Sequence, residues 1–165
     1  SGRDVAKFRS ELMTAMAAVR LQQGNREEEE HLLSEAIALY PRNKLAYAML
    51  SEMYRSTDPA KRLEILKEAL AANPSAFDIA QGIAAKLLDE RNFDEAHLYL
   101  QRIVEIRPRD YFANFELGRN YRRRGDCRAS KKHLEIALTV ASNAEDAKAA
   151  REVLIRLLQE CRGKL

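Results

Sequence analysis

The sequence holds two cysteines, Cys127 and Cys161, and three histidines, His31, His97 and His133. A thiol can serve as nucleophile, metal ligand or disulfide partner, and an imidazole as general base or ligand. The cysteines form neither a C-x-x-C motif nor a disulfide framework, so free thiols in a reducing compartment are expected. Arg128 could lower the thiol pKa of Cys127; the alternative is a small residue filling a tight turn. No glycine-rich phosphate loop follows a strand. The histidines are widely separated and lack Cys or carboxylate partners at metal-ligand spacing. The acidic run Glu27–Glu30 sits at a helix start, where the helix dipole favours anions without any ligand. The expectation is therefore no enzyme, no metal and no cofactor.

Charge is the other possible source of chemistry. Residues 1–82 carry 11 Lys+Arg and 12 Asp+Glu, while residues 83–165 carry 17 and 13. The excess concentrates in Arg119, Arg122, Arg123, Arg124, Arg128, Lys131 and Lys132. Such a stretch suits nucleic acid, acidic peptide or anionic lipid, or is simply a solvated helical face. The net charge of +3 is too small to argue for tight nonspecific nucleic-acid binding.

The elements that position these residues follow from length and periodicity. A chain of 165 residues with 46% hydrophobic content is one domain or a short repeat array. Its uncharged stretches are too short to span a bilayer, and the start lacks signal-peptide order. Pro41, Pro74 and Pro108 recur at intervals of 33 and 34 residues. Each closes one apolar helical pattern and precedes another. Apolar spacings of three, four and seven are helical. Asn25, Asp58, Asn92 and Asp126 are expected N-caps, with Glu28 and Glu95 at capping-box spacing and Pro59 at a first helical position. Ser75 and Ser142 are expected to open the other helices. Each copy thus reads as a helix–turn–helix hairpin.

A 34-residue helix pair with Leu-Gly, Tyr, a small residue, a bulky residue and a closing Pro resembles the tetratricopeptide repeat (TPR). Residues 111–144 carry Leu117-Gly118, Tyr121, Gly125-Asp126, Leu134 and Ala137, with Ser142 in place of the closing Pro. Residues 77–110 match through Ala96, Leu100, Ile103 and Pro108, with Ala84 for Gly. Residues 43–76 depart from the pattern at Leu50 and Arg62, so altered helix packing is expected there. Residues 9–42 form a weaker opening copy. The resemblance implies an all-α, right-handed solenoid of antiparallel helix pairs in a single domain over 1–165. A capping helix over about 144–161 would bury Ala147, Ala150, Leu154, Leu157, Leu158 and Cys161. The opening helix, about 3–22, is expected to expose Val5, Phe8 and Leu12. Ser1-Gly2 reads as a cleaved-tag scar on a chain cut from a longer protein.

In TPR proteins the first helices line a concave groove. Carried onto this sequence, the opening copy offers Ser10, Met13, Ala17 and Arg20. The principal expected partner-binding residues are Tyr47, Ser51, Tyr54, Gln81, Phe112, Phe115, Arg119 and Arg122. Aromatics and Arg dominate binding hot spots and suit a peptide with apolar anchors and acidic groups. The alternative is that some aromatics pack between helices or under a terminal helix. The cations of a chaperone-tail clamp are missing from the corresponding positions. The resemblance thus implies a cytoplasmic, non-enzymatic protein-interaction scaffold binding a protein or peptide. Its rivals are the soluble TPR part of a membrane-anchored bacterial subunit (secretion, pilus or polysaccharide export) and an RNA-binding helical repeat.

Overall fold

The computed structural model describes residues 2–163, and the Ser1 half of the scar reading lies outside them. Among the described residues there are nine α-helices and no strand. They are α1 (Gly2–Gln22), α2 (Arg26–Leu39), α3 (Lys44–Met53), α4 (Pro59–Ala72), α5 (Phe77–Asp89), α6 (Phe93–Ile106), α7 (Tyr111–Arg123), α8 (Cys127–Val140) and α9 (Ala144–Glu160). The chain divides into two compact units, residues 1–79 and residues 80–165. The fold class is all-α, with helix pairs packed as antiparallel hairpins.

Local chemistry explains the helix starts. The side chains of Asn25, Asp58, Asn92 and Asp126 accept from the backbone N–H of Glu28, Lys61, Glu95 and Ala129. Each satisfies an amide that has no partner within the first helical turn. Glu28 and Glu95 accept from the side-chain amides of Asn25 and Asn92 at 2.9 Å. The cap backbone amides are already used, donating to Arg20 O and Leu87 O. Asn43, Asp110 and Asn143 cap α3, α7 and α9 in the same way. Two expected starts are corrected. Asn143, not Ser142, caps α9, and Ser75 lies in the turn before α5.

The first unit buries Ala17, Leu32, Leu33, Ala36, Ala46, Tyr47 and Leu50 in its core. Asn43 ties its elements together: its amide donates to Ser10 Oγ at 2.8 Å and Thr14 Oγ1 at 2.9 Å, and Ser10 Oγ donates to Ala36 O. Ser10 and Ala17 are therefore interior residues and line no groove, because the face of α1 carrying Ser10, Thr14 and Ala17 is the one that packs.

In the second unit α7 and α8 approach closely at Gly118. A Cβ there would meet Leu134 Cγ at 2.6 Å. Ser130 Oγ donates to Gly118 O at 2.7 Å in the same contact. The expectation of free thiols is corrected: Cys127 and Cys161 are joined in a disulfide, with Cα atoms 6.0 Å apart. Cys127 opens α8 and Cys161 caps α9, and the packing of α9 on α8 brings these ends together. The disulfide sits in a cluster with Leu134, Leu157, Phe115, Val153 and Leu154. The expected buried face of α9 is corrected at Leu158, which is exposed, while Val153 packs in its place.

Candidate partner-binding site

The helix α7 is the best furnished for recognition. Asp110 fixes its start, accepting from Ala113 N–H at 2.8 Å. Asn114 and Asn120, both buried, hold it to its surroundings by donating to Pro108 O and Phe93 O. This anchoring fixes the residues on its remaining faces.

Phe112, Glu116, Arg119 and Arg123 of α7 line a cavity of about 310 Å³ with Ala85, Leu88 and Asp89 of α5 and Phe93 of α6. A second cavity of about 300 Å³ is lined by Arg119, Arg122, Arg123 and Glu160. The two share Arg119 and Arg123. The first combines the apolar Ala85, Leu88, Phe93 and Phe112 with the carboxylates of Asp89 and Glu116; the second supplies three guanidinium groups against one carboxylate.

The guanidiniums are held differently. Arg119 donates to Glu116 Oε1 at 2.7 Å, one helical turn back. Arg122 makes a two-pronged contact with Glu160 of α9, at 2.7 and 2.6 Å, which raises the arginine pKa and lowers that of the carboxylate. Arg123 lies 3.9 Å above the Phe93 ring, with no carboxylate in ion-pair reach among the described residues. Burial, then the positive charges of Arg119, Arg122 and Arg91, lower its pKa, opposed by Glu116. Of these three guanidiniums it is the one without a carboxylate partner among the described residues.

The other expected residues fall elsewhere. Phe115 stacks on Tyr111, ring centres 5.6 Å apart, and packs against the disulfide cluster beneath α9. Gln81 is half-buried on α5 and lines neither cavity. Tyr47 is 5% exposed and Ser51 is equally buried, its hydroxyl donating to Ala48 O. Burial, reinforced by Glu68, raises the Tyr47 phenol pKa. These two are corrected from groove to interior, because α3 turns them into the first unit's core. Tyr54 is half-buried; its hydroxyl donates to Glu30, and Lys61 lies 4.1 Å from its ring centre. It ties α2, α3 and α4 together.

Phe93, Asp89 and Glu116 are not among the expected site residues, and Arg123, expected on or near the groove with Arg119 and Arg122, joins the principal residues. Arg123 follows Arg119 by one helical turn, a spacing visible in the sequence. Phe93 opens a second helix and carries no signal in a rule that reads only first helices.

His97 and His133 come together on one tyrosine. The Tyr121 ring lies between His97, in edge contact at 4.8 Å, and His133, stacked at 5.5 Å. Burial lowers both imidazole pKa values; positive neighbours, Arg124 for His97 and Lys132 for His133, act in the same direction. No group of three His, Cys, Asp or Glu residues able to hold a metal exists among the described residues. The first unit has its own cavity, about 550 Å³, lined by Leu21, Arg26, Glu29, Met49 and Met53 among others. There Glu29 is buried with Oε2 unpartnered, and burial raises its pKa against the opposing charge of Arg26.

No protein-family model and no curated protein matches the sequence. Solved structures do. PilF of Pseudomonas aeruginosa aligns with 98% of this chain and 72% of its own length at TM-score 0.61 and 21% identity. MamA of Desulfovibrio magneticus RS-1 aligns over 94% and 97% at TM-score 0.60 and 17% identity. Another MamA crystal structure gives 94% and 93%, TM-score 0.62 and 14% identity. Both are TPR-repeat proteins, and this chain has their fold.

Proposed function

We propose that the chain is a non-enzymatic protein-interaction scaffold whose second unit holds a segment of a partner protein. The observation that carries this reading is the pair of adjoining cavities sharing Arg119 and Arg123. An apolar side chain of the partner enters beside Phe112, Phe93 and Leu88. A carboxylate a few residues away meets Arg123 and Arg119, in charge-assisted hydrogen bonds that their planar donors favour. Packed helices present both cavities with little reorganisation.

Selection from a random peptide display library tests this directly. Enriched peptides should pair an acidic residue with a bulky apolar one. Arg123→Glu and Phe112→Ala should each weaken them about tenfold or more. Peptides lacking that pairing, or bound equally by both variants, would sink the reading. Capture of RNA with steep salt dependence, lost in Arg123→Glu, would favour the helical-repeat RNA binder.

The Cys127–Cys161 disulfide favours a second reading of the setting, a soluble TPR part of a membrane-anchored bacterial subunit facing an oxidising compartment rather than the cytoplasm. Among the described residues no helix is long and apolar enough to cross a membrane. Acid quenching of source cells followed by thiol alkylation of the denatured chain without reductant separates the two, because both cysteines are buried in the folded chain. Blocked, unreactive cysteines support the oxidising setting; two alkylated thiols support the cytoplasmic one.

A further inference from the structure

The helix α1 packs on its own unit through one face and carries an apolar stripe on the other. Ser10, Thr14 and Ala17 are buried, while the opposite side presents Val5, Phe8, Leu12 and Val19 at 58%, 66%, 51% and 47% exposure. Met16 flanks them, also exposed. With Ala15 completing the row, these positions run 5, 8, 12, 15 and 19, spacings of three, four, three and four. That alternation is the 3.5-residue period of a coiled-coil seam, which keeps one stripe against a partner helix over several turns. Scattered exposed apolar residues need no explanation, but an ordered stripe along a whole helix does.

The edges of the stripe say what covers it. On one edge lie Asp4 and Glu11, the latter 3.8 Å from the ammonium of Lys7 on the same helix; on the other lie Arg9 and Met16. Pairing with a parallel copy of the same helix sets Asp4 of each against Arg9 of the other and Glu11 against Met16. An antiparallel copy would set acid against acid and Arg9 against Arg9, which is repulsive. We propose that α1 is a self-association surface, on which a second copy of this chain docks in parallel through Val5, Phe8, Leu12 and Val19. The contact is isologous, so it closes as a two-fold dimer rather than growing into a filament. A seam of just over two heptads is short, and the dimer is correspondingly weak.

Sedimentation equilibrium from about 1 to about 200 µM covers the affinity that so small an interface gives. The expected result is a concentration-dependent dimer that Phe8→Glu abolishes; because Phe8 faces solvent, that variant should keep its helical spectrum and melting temperature. A chain that stays monomeric across the range overturns the proposal. So does flotation of the monomer with anionic vesicles that Phe8→Glu prevents, since that gives the stripe to a membrane. Orientation is read by oxidative cross-linking. Val5→Cys should cross-link to itself in a parallel dimer. Cross-linking only in a mixture of Val5→Cys and Val19→Cys overturns the parallel arrangement. The native cysteines are already paired with each other and do not compete.

Discussion

The copies at residues 43–76 and 111–144 share a register but not a fate. At the eighth position one has Leu50 and the other Gly118. At the twentieth one has Arg62 and the other Ser130. Gly118 lets α8 approach α7 until Leu134 lies where a Cβ would be, and Ser130 bonds the Gly118 carbonyl. Leu50 fills that space with a side chain, and Arg62 remains half-buried with an unpartnered Nε. The outer faces differ to match. Tyr47, Ser51 and Tyr54 are absorbed into packing and an intra-unit network. Phe112, Arg119 and Arg123 remain around cavities. A repeat position defines where a side chain starts; the neighbouring helix decides whether it ends in the core or at a surface.

The largest way to break this contrast is the disulfide, which only the second copy has. Closing a loop of sequence separation 34 stabilises by about 3 to 4 kcal/mol in the chain-entropy picture. Reduction should lower the melting temperature by about 10 °C. Hydrogen exchange should rise along α8 and α9 and stay unchanged in α1–α4. Unchanged exchange in α9 on reduction would mean that Leu157, Val153 and the Arg122–Glu160 pair hold the helix without it.

Next in size is the close approach itself. Gly118→Leu forces a branched side chain into Leu134 and should cost about 3 kcal/mol by overpacking. Gly82, also within a helix, has nothing within 4 Å of its Cβ position. Gly82→Ala should therefore gain about 0.5 to 1 kcal/mol from helix propensity alone. Denaturant melts of the two variants should move in opposite directions; if both lose stability, Gly118 is not special.

The sequence made local features legible and left cross-helix ones open. Asn25, Asp58, Asn92 and Asp126 act on amides three residues away, so spacing alone was enough to place them as caps. The Gly118 contact was readable through the repeat pattern. Tyr47 and Phe115 occupy the same repeat position, and nothing within either helix says how deeply each is buried. The disulfide was missed although 34 residues, one repeat length, separate Cys127 from Cys161: equivalent positions of successive copies become neighbours only when the copies stack. On α9, Leu158 and Val153 lie at the two margins of one stripe, and the direction from which α8 meets the helix decides between them.

A smaller effect belongs to the histidines around Tyr121. Their folded pKa values lie below the unfolded value of 6.5, so the unfolded chain binds more protons as pH falls. Stability present above that value is lost progressively as pH drops through it toward the folded values. Thermal melts between about pH 7.5 and 5 should show this decline, and His97→Phe should flatten it. A slope unchanged in that variant would place the proton uptake at His133, whose pKa burial and Lys132 also lower.

The smallest expected change concerns three matched turns. Gly24, Arg91 and Gly125 each precede a cap residue and each has positive φ, at 73°, 60° and 76°. In all three the following amide bonds a carbonyl five residues back, so the backbone demand is the same. Only Arg91 carries a Cβ in that left-handed conformation, which costs about 1 to 2 kcal/mol relative to glycine. Glycine gives some of that back through the freer unfolded chain, leaving a net gain of about 0.5 kcal/mol for Arg91→Gly. Gly125→Arg should lose a similar amount. Chemical denaturation of the reciprocal pair is the measurement. A loss at residue 125 without a gain at 91 would show that the Arg91 side chain itself stabilises its turn, and that its position beside the Arg123 cluster reflects a role the backbone does not require.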